Sequence, residues 1–166
     1  MEVNRNAYLK HFPIDKYVDF VVNRQHSAWD WTQAEQHGKW IESAYLSAVQ
    51  GDDKELLIKA ESVLNRIIDS QEANGYVGAT AKSFRSPERP VRGMDAYELY
   101  FVFHAFITVY EETGDKKALT AAEKLADYFL QYFGPGKLEF WPSDLRAPEN
   151  NQKHLDGHSD FAGHSV

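Results

Sequence analysis

The sequence predicts an all-α chain built from repeated helical hairpins. Three observations lead there. Five segments carry apolar residues at helical spacing. Two of them repeat two others at an offset of about 62 residues. One segment is apolar almost all round, which is the pattern of a helix packed on every side.

Taken in order, the first helix is expected over 14–24, just after Pro13, where Tyr17, Val18, Val21 and Val22 recur on one face. The second is expected over 34–50. Trp40, Ile41, Ala44, Tyr45 and Ala48 form its apolar face, and Gly51 supplies the stop. The third spans 53–71, with Asp53 as its N-cap and Leu56, Ala60, Val63, Leu64 and Ile67 in its stripe. Residues 72–93 hold Asn74-Gly75, Gly78, Pro87, Pro90 and Gly93, and read as a long exposed loop. The fourth helix, 95–113, includes Leu99, Tyr100, Phe101, Val102, Phe103 and Phe106 and ends at Gly114. The fifth, 116–133, buries Leu119, Ala122, Leu125, Ala126 and Phe129, and Gly134-Pro135-Gly136 stops it. The remainder, 137–166, reads mostly as loop.

The repeat aligns Asp53-Lys54 with Asp115-Lys116, Leu57 with Leu119, and Ala60-Glu61 with Ala122-Glu123. Each unit is a long helix, a tight Gly-Asp turn and a second long helix. Such hairpins stack side by side into an open solenoid or a closed toroid with inner and outer rings. The fourth helix suits the inner ring, where polar groups survive only if they face a central cavity. That singles out His104, Glu98 and Tyr97. A core histidine bonded to a backbone carbonyl is the competing reading of His104.

Composition narrows the partners. The net charge is −7, which disfavours a phosphate-binding surface and so a nucleic-acid partner. No stretch is long and apolar enough to span a membrane. Residues 1–10 lack the apolar centre of a signal peptide, which leaves the compartment open between cytoplasm and export with a signal removed. There are no cysteines, so the chain offers neither a disulfide nor a thiol nucleophile. Aromatic residues make up 14% of the chain, and their faces either fill a core or stack on sugar rings. Trp29 and Trp31, flanking Asp30, are read both ways: platforms at a cavity mouth, or plugs between the first two helices.

The segment 154–165 is the densest polar cluster, with His154, Asp156, His158, Asp160 and His164. His154 and His158 are four apart, but Gly157 between them disfavours a shared helix face, and no HExxH pattern is present. No metal site is assigned. As sugar-site groups these side chains can bond hydroxyls and move protons. Glycoside hydrolysis uses two carboxyls flanking the scissile bond, and Glu35, Asp156 and Asp160 are the candidates. A solvated chain end is the alternative.

Several segments resemble the glycoside hydrolase family 127 group, which includes β-L-arabinofuranosidases. Gly38-Lys39-Trp40-Ile41-Glu42-Ser43-Ala44 is similar to its GKW-(I/L)-E-(A/S)-A helix. Gln71-Glu72-Ala73-Asn74-Gly75-Tyr76-Val77-Gly78 is similar to its Q-x-x-D-G-Y-L-G loop. Tyr97-Glu98-Leu99-Tyr100 followed by His104 resembles its H-E-L-Y-x-x-G-H helix. Leu125-Ala126-Asp127-Tyr128 and Phe133-Gly134-Pro135-Gly136 match two further segments. The set lies in family order between Glu35 and Gly136.

The resemblance implies an (α/α)6 barrel of six-hairpin glycosidase type, here an incomplete toroid. Residues 1–166 would be a single helical domain forming the N-terminal part of a larger catalytic barrel. It implies a glycoside hydrolase acting on a carbohydrate, with the nucleophile outside this chain. Glu35 and Asp160 are the expected catalytic carboxyls; His37, His104, Glu98, Trp31, His158 and His164 are the expected sugar-binding groups. No cofactor is expected within the chain. The family's zinc-held cysteine belongs to the C-terminal half of its barrel, and Ala96 stands where the H-E-L-Y helix has its first His. Self-association is expected through exposed barrel surface. A helical-repeat module that binds glycan or protein without catalysis is the alternative, and a sugar epimerase or unsaturated-uronide hydrolase on a related barrel is a third.

Overall fold

The computed structural model of the chain describes residues 4–25, 35–91 and 95–138. A short π-helical turn, Arg5–Leu9, precedes five α-helices: α1 (Ile14–Val22), α2 (Glu35–Gly51), α3 (Lys54–Asp69), α4 (Asp95–Thr113) and α5 (Lys116–Tyr132). A 3-10 turn, Lys82–Phe84, interrupts the α3–α4 connection. Among the described residues no strand forms, and no helix is long and apolar enough to cross a membrane.

Helices α2 and α3 make one hairpin and α4 and α5 the second. The most extensive contact joins α2 to α4, while α3 and α5 each lean on their hairpin partner and touch one another only lightly. So α2 and α4 form an inner layer and α3 and α5 an outer one, with α1 against both α2 and α3. The inner pair is parallel. Gly38 lies against the backbone of Phe101 and Val102, and farther along Thr108 Oγ1 donates to Glu42 Oε1 at 3.3 Å. The core between the layers is aliphatic and aromatic: Ile41, Tyr45, Leu56, Leu64, Leu99, Phe106 and Leu125 are all buried.

Both tight turns use an aspartate cap. Asp53 accepts from the Leu56 amide at 3.1 Å, and Asp115 accepts from the Lys117 amide at 2.8 Å, each satisfying a helix-start donor. The left-handed residue of the turn differs. In the second turn it is Gly114 (φ 73°), as expected. In the first it is Asp52 (φ 46°), because α2 continues through Gly51 rather than stopping there. The Arg5 guanidinium lies against Gly51, where a Cβ would meet it.

The N-terminal segment is tied down by polar contacts. Arg66 pairs with Asp15 at 2.6 Å and with Asp19, joining α3 to α1. Lys59 Nζ donates to the Lys10 and Phe12 carbonyls, and Trp40 Nε1 donates to the Leu9 carbonyl at 3.1 Å. Helix α1 ends at Val22, two residues short of the expected boundary, because Arg24 takes a left-handed conformation (φ 50°).

Two expectations need correction. The 72–93 connection is not simply exposed: residues 75–80 are buried. Nor is α4 buried on every side. Phe101, Phe103, Ile107 and Tyr110 are half-buried and His104 is exposed, because α2 and α5 cover only part of its circumference.

Candidate functional site

The parallel register of α2 and α4 brings their N-terminal turns to one end of the inner layer. Two residues of each turn carry chemistry: Glu35 and His37 on α2, Tyr97 and Glu98 on α4. Helix N-termini are positive ends, which favours the placing of carboxylates there.

Glu35 is mostly buried and ion-paired. Its Oε2 lies 3.1 Å from Lys39 Nζ, one turn on, and its Oε1 accepts from Gln36 Nε2 at 3.2 Å. The Lys39 ammonium is in turn held over two rings of α4, 4.3 Å from the Phe101 centroid and 5.4 Å from that of Tyr97. A cation above an aromatic face is attracted by the ring quadrupole. Lys39 therefore clamps the start of α2 to the start of α4 and orients Glu35.

His37 lies deeper. It is 1% exposed, and neither ring nitrogen has a hydrogen-bond partner among the described residues. Burial alone pulls its pKa down to about 3, so the imidazole is neutral at ordinary pH. A neutral imidazole offers one donor and one acceptor. Leaving both unmet in a buried position costs free energy, on the order of 1–3 kcal/mol per group. His37, one of the expected sugar-binding groups, is thus buried among the described residues. Glu98 is also buried, at 1% exposure.

His104 sits farther along α4, exposed, with its ring 4.5 Å from that of Tyr100. It is not a satisfied core histidine. Trp31, Asp160, His158 and His164, with Trp29, His154 and Asp156, lie outside the described residues. Of the expected groups, then, the structure gathers Glu35, His37 and Glu98 at one end of the inner layer and sets His104 apart from them.

A second polar cluster underlies this end. Asp95, the first residue of α4, is fully buried. Its Oδ2 accepts from the Tyr76 hydroxyl at 2.9 Å and its Oδ1 from the Thr80 hydroxyl at 2.9 Å. The Thr80 amide donates to the Tyr76 oxygen at 3.0 Å. Arg85 stacks on the Tyr76 ring, 3.5 Å from its centroid, and Arg24 approaches it at 5.6 Å. Glu72 bridges the two guanidiniums. Tyr128 donates to the Pro90 carbonyl beside them.

Sequence reading missed Lys39, Tyr76, Thr80, Arg85 and Asp95. Lys39 left a trace: an acid four residues before a lysine on a helix is an ion-pair spacing. The others are joined only by tertiary contact.

The family resemblance implies a zinc-held thiolate that would come from outside this chain. The chain has no cysteine, and among the described residues no group of three His, Asp or Glu side chains gathers as a metal would need.

Two stacked hairpins, with a polar end built on parallel inner helices, define a protein of the helical-hairpin class. The family model of the β-L-arabinofuranosidase GH127 catalytic domain matches residues 3–141, and the chain belongs to that family. A curated relative, the non-reducing end β-L-arabinofuranosidase of Bifidobacterium longum subsp. longum, is 29% identical over 104 residues, 58% of this chain. Two solved structures share the fold. A GH127 β-L-arabinofuranosidase from Geobacillus stearothermophilus T6 superposes with a TM-score of 0.57 at 20% identity, over 81% of this chain. A second GH127 β-arabinofuranosidase superposes with a TM-score of 0.58 at 23% identity, also over 81%. The chain spans 16% of the length of the curated relative and 22% and 24% of the two solved chains. The described helices are therefore helical hairpins of the (α/α)6-barrel type.

Proposed function

We propose that this chain forms the sugar-binding wall of a glycoside hydrolase acting on β-L-arabinofuranosides. The family match over residues 3–141 carries the reading. The polar end of the inner layer supports it, because its groups suit hydroxyl recognition. In this reading Glu35, oriented by Lys39, accepts hydrogen bonds from sugar hydroxyls. The neutral His37 has its donor and its acceptor on two separate ring nitrogens, so one sugar hydroxyl can satisfy one of them and a second group the other. Glu98 shares that end, and His104 contacts a more distant part of the glycan.

Glycosidic cleavage needs a proton donor and a second carboxylate or other nucleophile across the bond. Glu35 is the candidate carboxylate of the described residues, and Asp160 remains the candidate for the other role. If a thiolate supplies the nucleophile, as the family resemblance implies, it comes from outside this chain.

The test is hydrolysis of 4-nitrophenyl β-L-arabinofuranoside, with other aryl glycosides as controls, by the complete gene product and by residues 1–166 alone. Turnover by the former, lost in Glu35→Gln, supports the reading. Absence of turnover with glycan binding intact would make the hairpins a recognition module.

A further inference from the structure

The buried cluster under α4 has no part in the hydroxyl contacts proposed above, yet it touches the helix that carries Glu98. We infer that Tyr76 and Thr80 are positioning residues: their hydroxyls hold the Asp95 carboxylate and thereby set the first turn of α4, on which Tyr97 and Glu98 stand. The inference rests on the sugar-site reading for its consequence, though not for its geometry.

The direction of each hydrogen bond is fixed by chemistry. An amide N–H can only donate, so the Thr80 amide uses the Tyr76 oxygen as acceptor at 3.0 Å. The Tyr76 hydrogen must then go to Asp95 Oδ2, which a carboxylate accepts. The Thr80 hydroxyl donates to the other oxygen, Oδ1. Both oxygens of one fully buried carboxylate are therefore held by the 75–80 segment, at the helix end whose positive pole favours a negative charge. Arg85 on the Tyr76 ring keeps that ring from rotating away, and Glu72 holds Arg85. Gly78 is needed for the arrangement, because a Cβ there would meet the Tyr76 hydroxyl at 2.5 Å. Glu98 follows Asp95 by one turn, so a shift of Asp95 moves Glu98 with it.

The experiment compares Tyr76→Phe, Thr80→Val, Thr80→Ser and Tyr128→Phe in residues 1–166. Three quantities are read: the melting temperature, the affinity for methyl β-L-arabinofuranoside, and the NMR resonances of the Glu98 amide and carboxyl. Tyr128→Phe is the comparison, since the buried hydroxyl it removes from the same cluster bonds the Pro90 carbonyl and Arg85. The expected result is a fivefold or greater loss of affinity in Tyr76→Phe and Thr80→Val, with moved Glu98 resonances. Thr80→Ser, which keeps the hydroxyl, retains wild-type affinity. Tyr128→Phe lowers the melting temperature and leaves affinity alone. Unmoved Glu98 resonances in Tyr76→Phe would overturn the inference, as would a loss of affinity that merely follows melting temperature across all four variants. If the unaltered chain binds no arabinoside, the sugar-site reading fails by itself. The Glu98 resonances then decide the positioning claim: moved, it stands; unmoved, it falls.

Discussion

Gly38 of α2 rests directly on the backbone of Phe101 in α4: a Cβ at Gly38 would lie 2.6 Å from both the carbonyl carbon and the carbonyl oxygen of Phe101. That contact sets how closely the two inner helices approach. It also brings Lys39, the next residue, over the Phe101 ring. The clash is with backbone, which cannot swing aside as a side chain can. Gly38→Ala is therefore expected to destabilise the chain by about 1–3 kcal/mol through overpacking. This outweighs the roughly 1 kcal/mol by which alanine favours a helix interior over glycine. Urea unfolding checks it, and a more stable variant would show that α2 and α4 are not packed this closely.

A different response is expected at His37. Its folded pKa lies at about 3, against about 6.5 for an unperturbed histidine. Between those values the unfolded chain binds a proton that the folded chain does not. Stability contributed by this group is full above about pH 6.5 and falls as pH drops toward 3, by about 1.4 kcal/mol per unit at most. Below about 3 it changes no further. Replacing His37 by Leu removes this slope, so the stability of His37→Leu relative to the unaltered chain should rise as pH falls from 7 to 5. Denaturant titrations at three pH values measure it. A difference that stays constant with pH would mean that His37 is not held neutral by burial.

Much of this fold was legible because its helices are amphipathic and its turns use standard chemistry. Asp53 and Asp115 sit at the caps that their sequence positions announce, and Gly114 adopts the positive φ that a helix stop requires. The 72–93 connection was harder for a physical reason. Gly75, Gly78 and Pro90 mark a turn-rich path, but breakers report backbone conformation and say nothing of burial. Tyr76 is covered by residues far away in sequence, Arg24 on one side and Tyr128 on another, together with Arg85 of its own connection. The site divides the same way. Glu35, His37 and Glu98 lie on predicted helices, so their common end followed once the hairpins were paired. Asp95 looks from sequence like any helix-start acid, and only its partners Tyr76 and Thr80 reveal what it holds.

The turn at Gly75 invites a paired comparison. Gly75 and Gly114 both have positive φ, 97° and 73°. Only Gly75 is crowded, since a Cβ there would meet the Lys124 carbonyl oxygen at 2.0 Å, whereas Gly114 faces open space. Gly114→Ala should cost only the left-handed strain, about 1–2 kcal/mol. Gly75→Ala carries that strain plus a backbone clash with α5, so its loss should be clearly larger. Thermal melts of the two variants decide the order, and equal losses would mean that the 75–80 segment does not sit against α5 as described.

Lys39 supplies the last expectation. Its ammonium joins Glu35 to the Tyr97 and Phe101 rings, but the side chain is 38% exposed. Solvent screens such a pair, so Lys39→Met should change stability by no more than about 1 kcal/mol. Its effect on recognition should be greater, because Glu35 loses the group that orients it. Affinity for methyl β-L-arabinofuranoside is expected to fall several-fold. In a Glu35→Gln background the pair is already broken, and adding Lys39→Met should then do little more. Calorimetric titration of the two single variants and the double variant tests the coupling. Losses that simply add would show that Lys39 acts on the sugar directly rather than through Glu35.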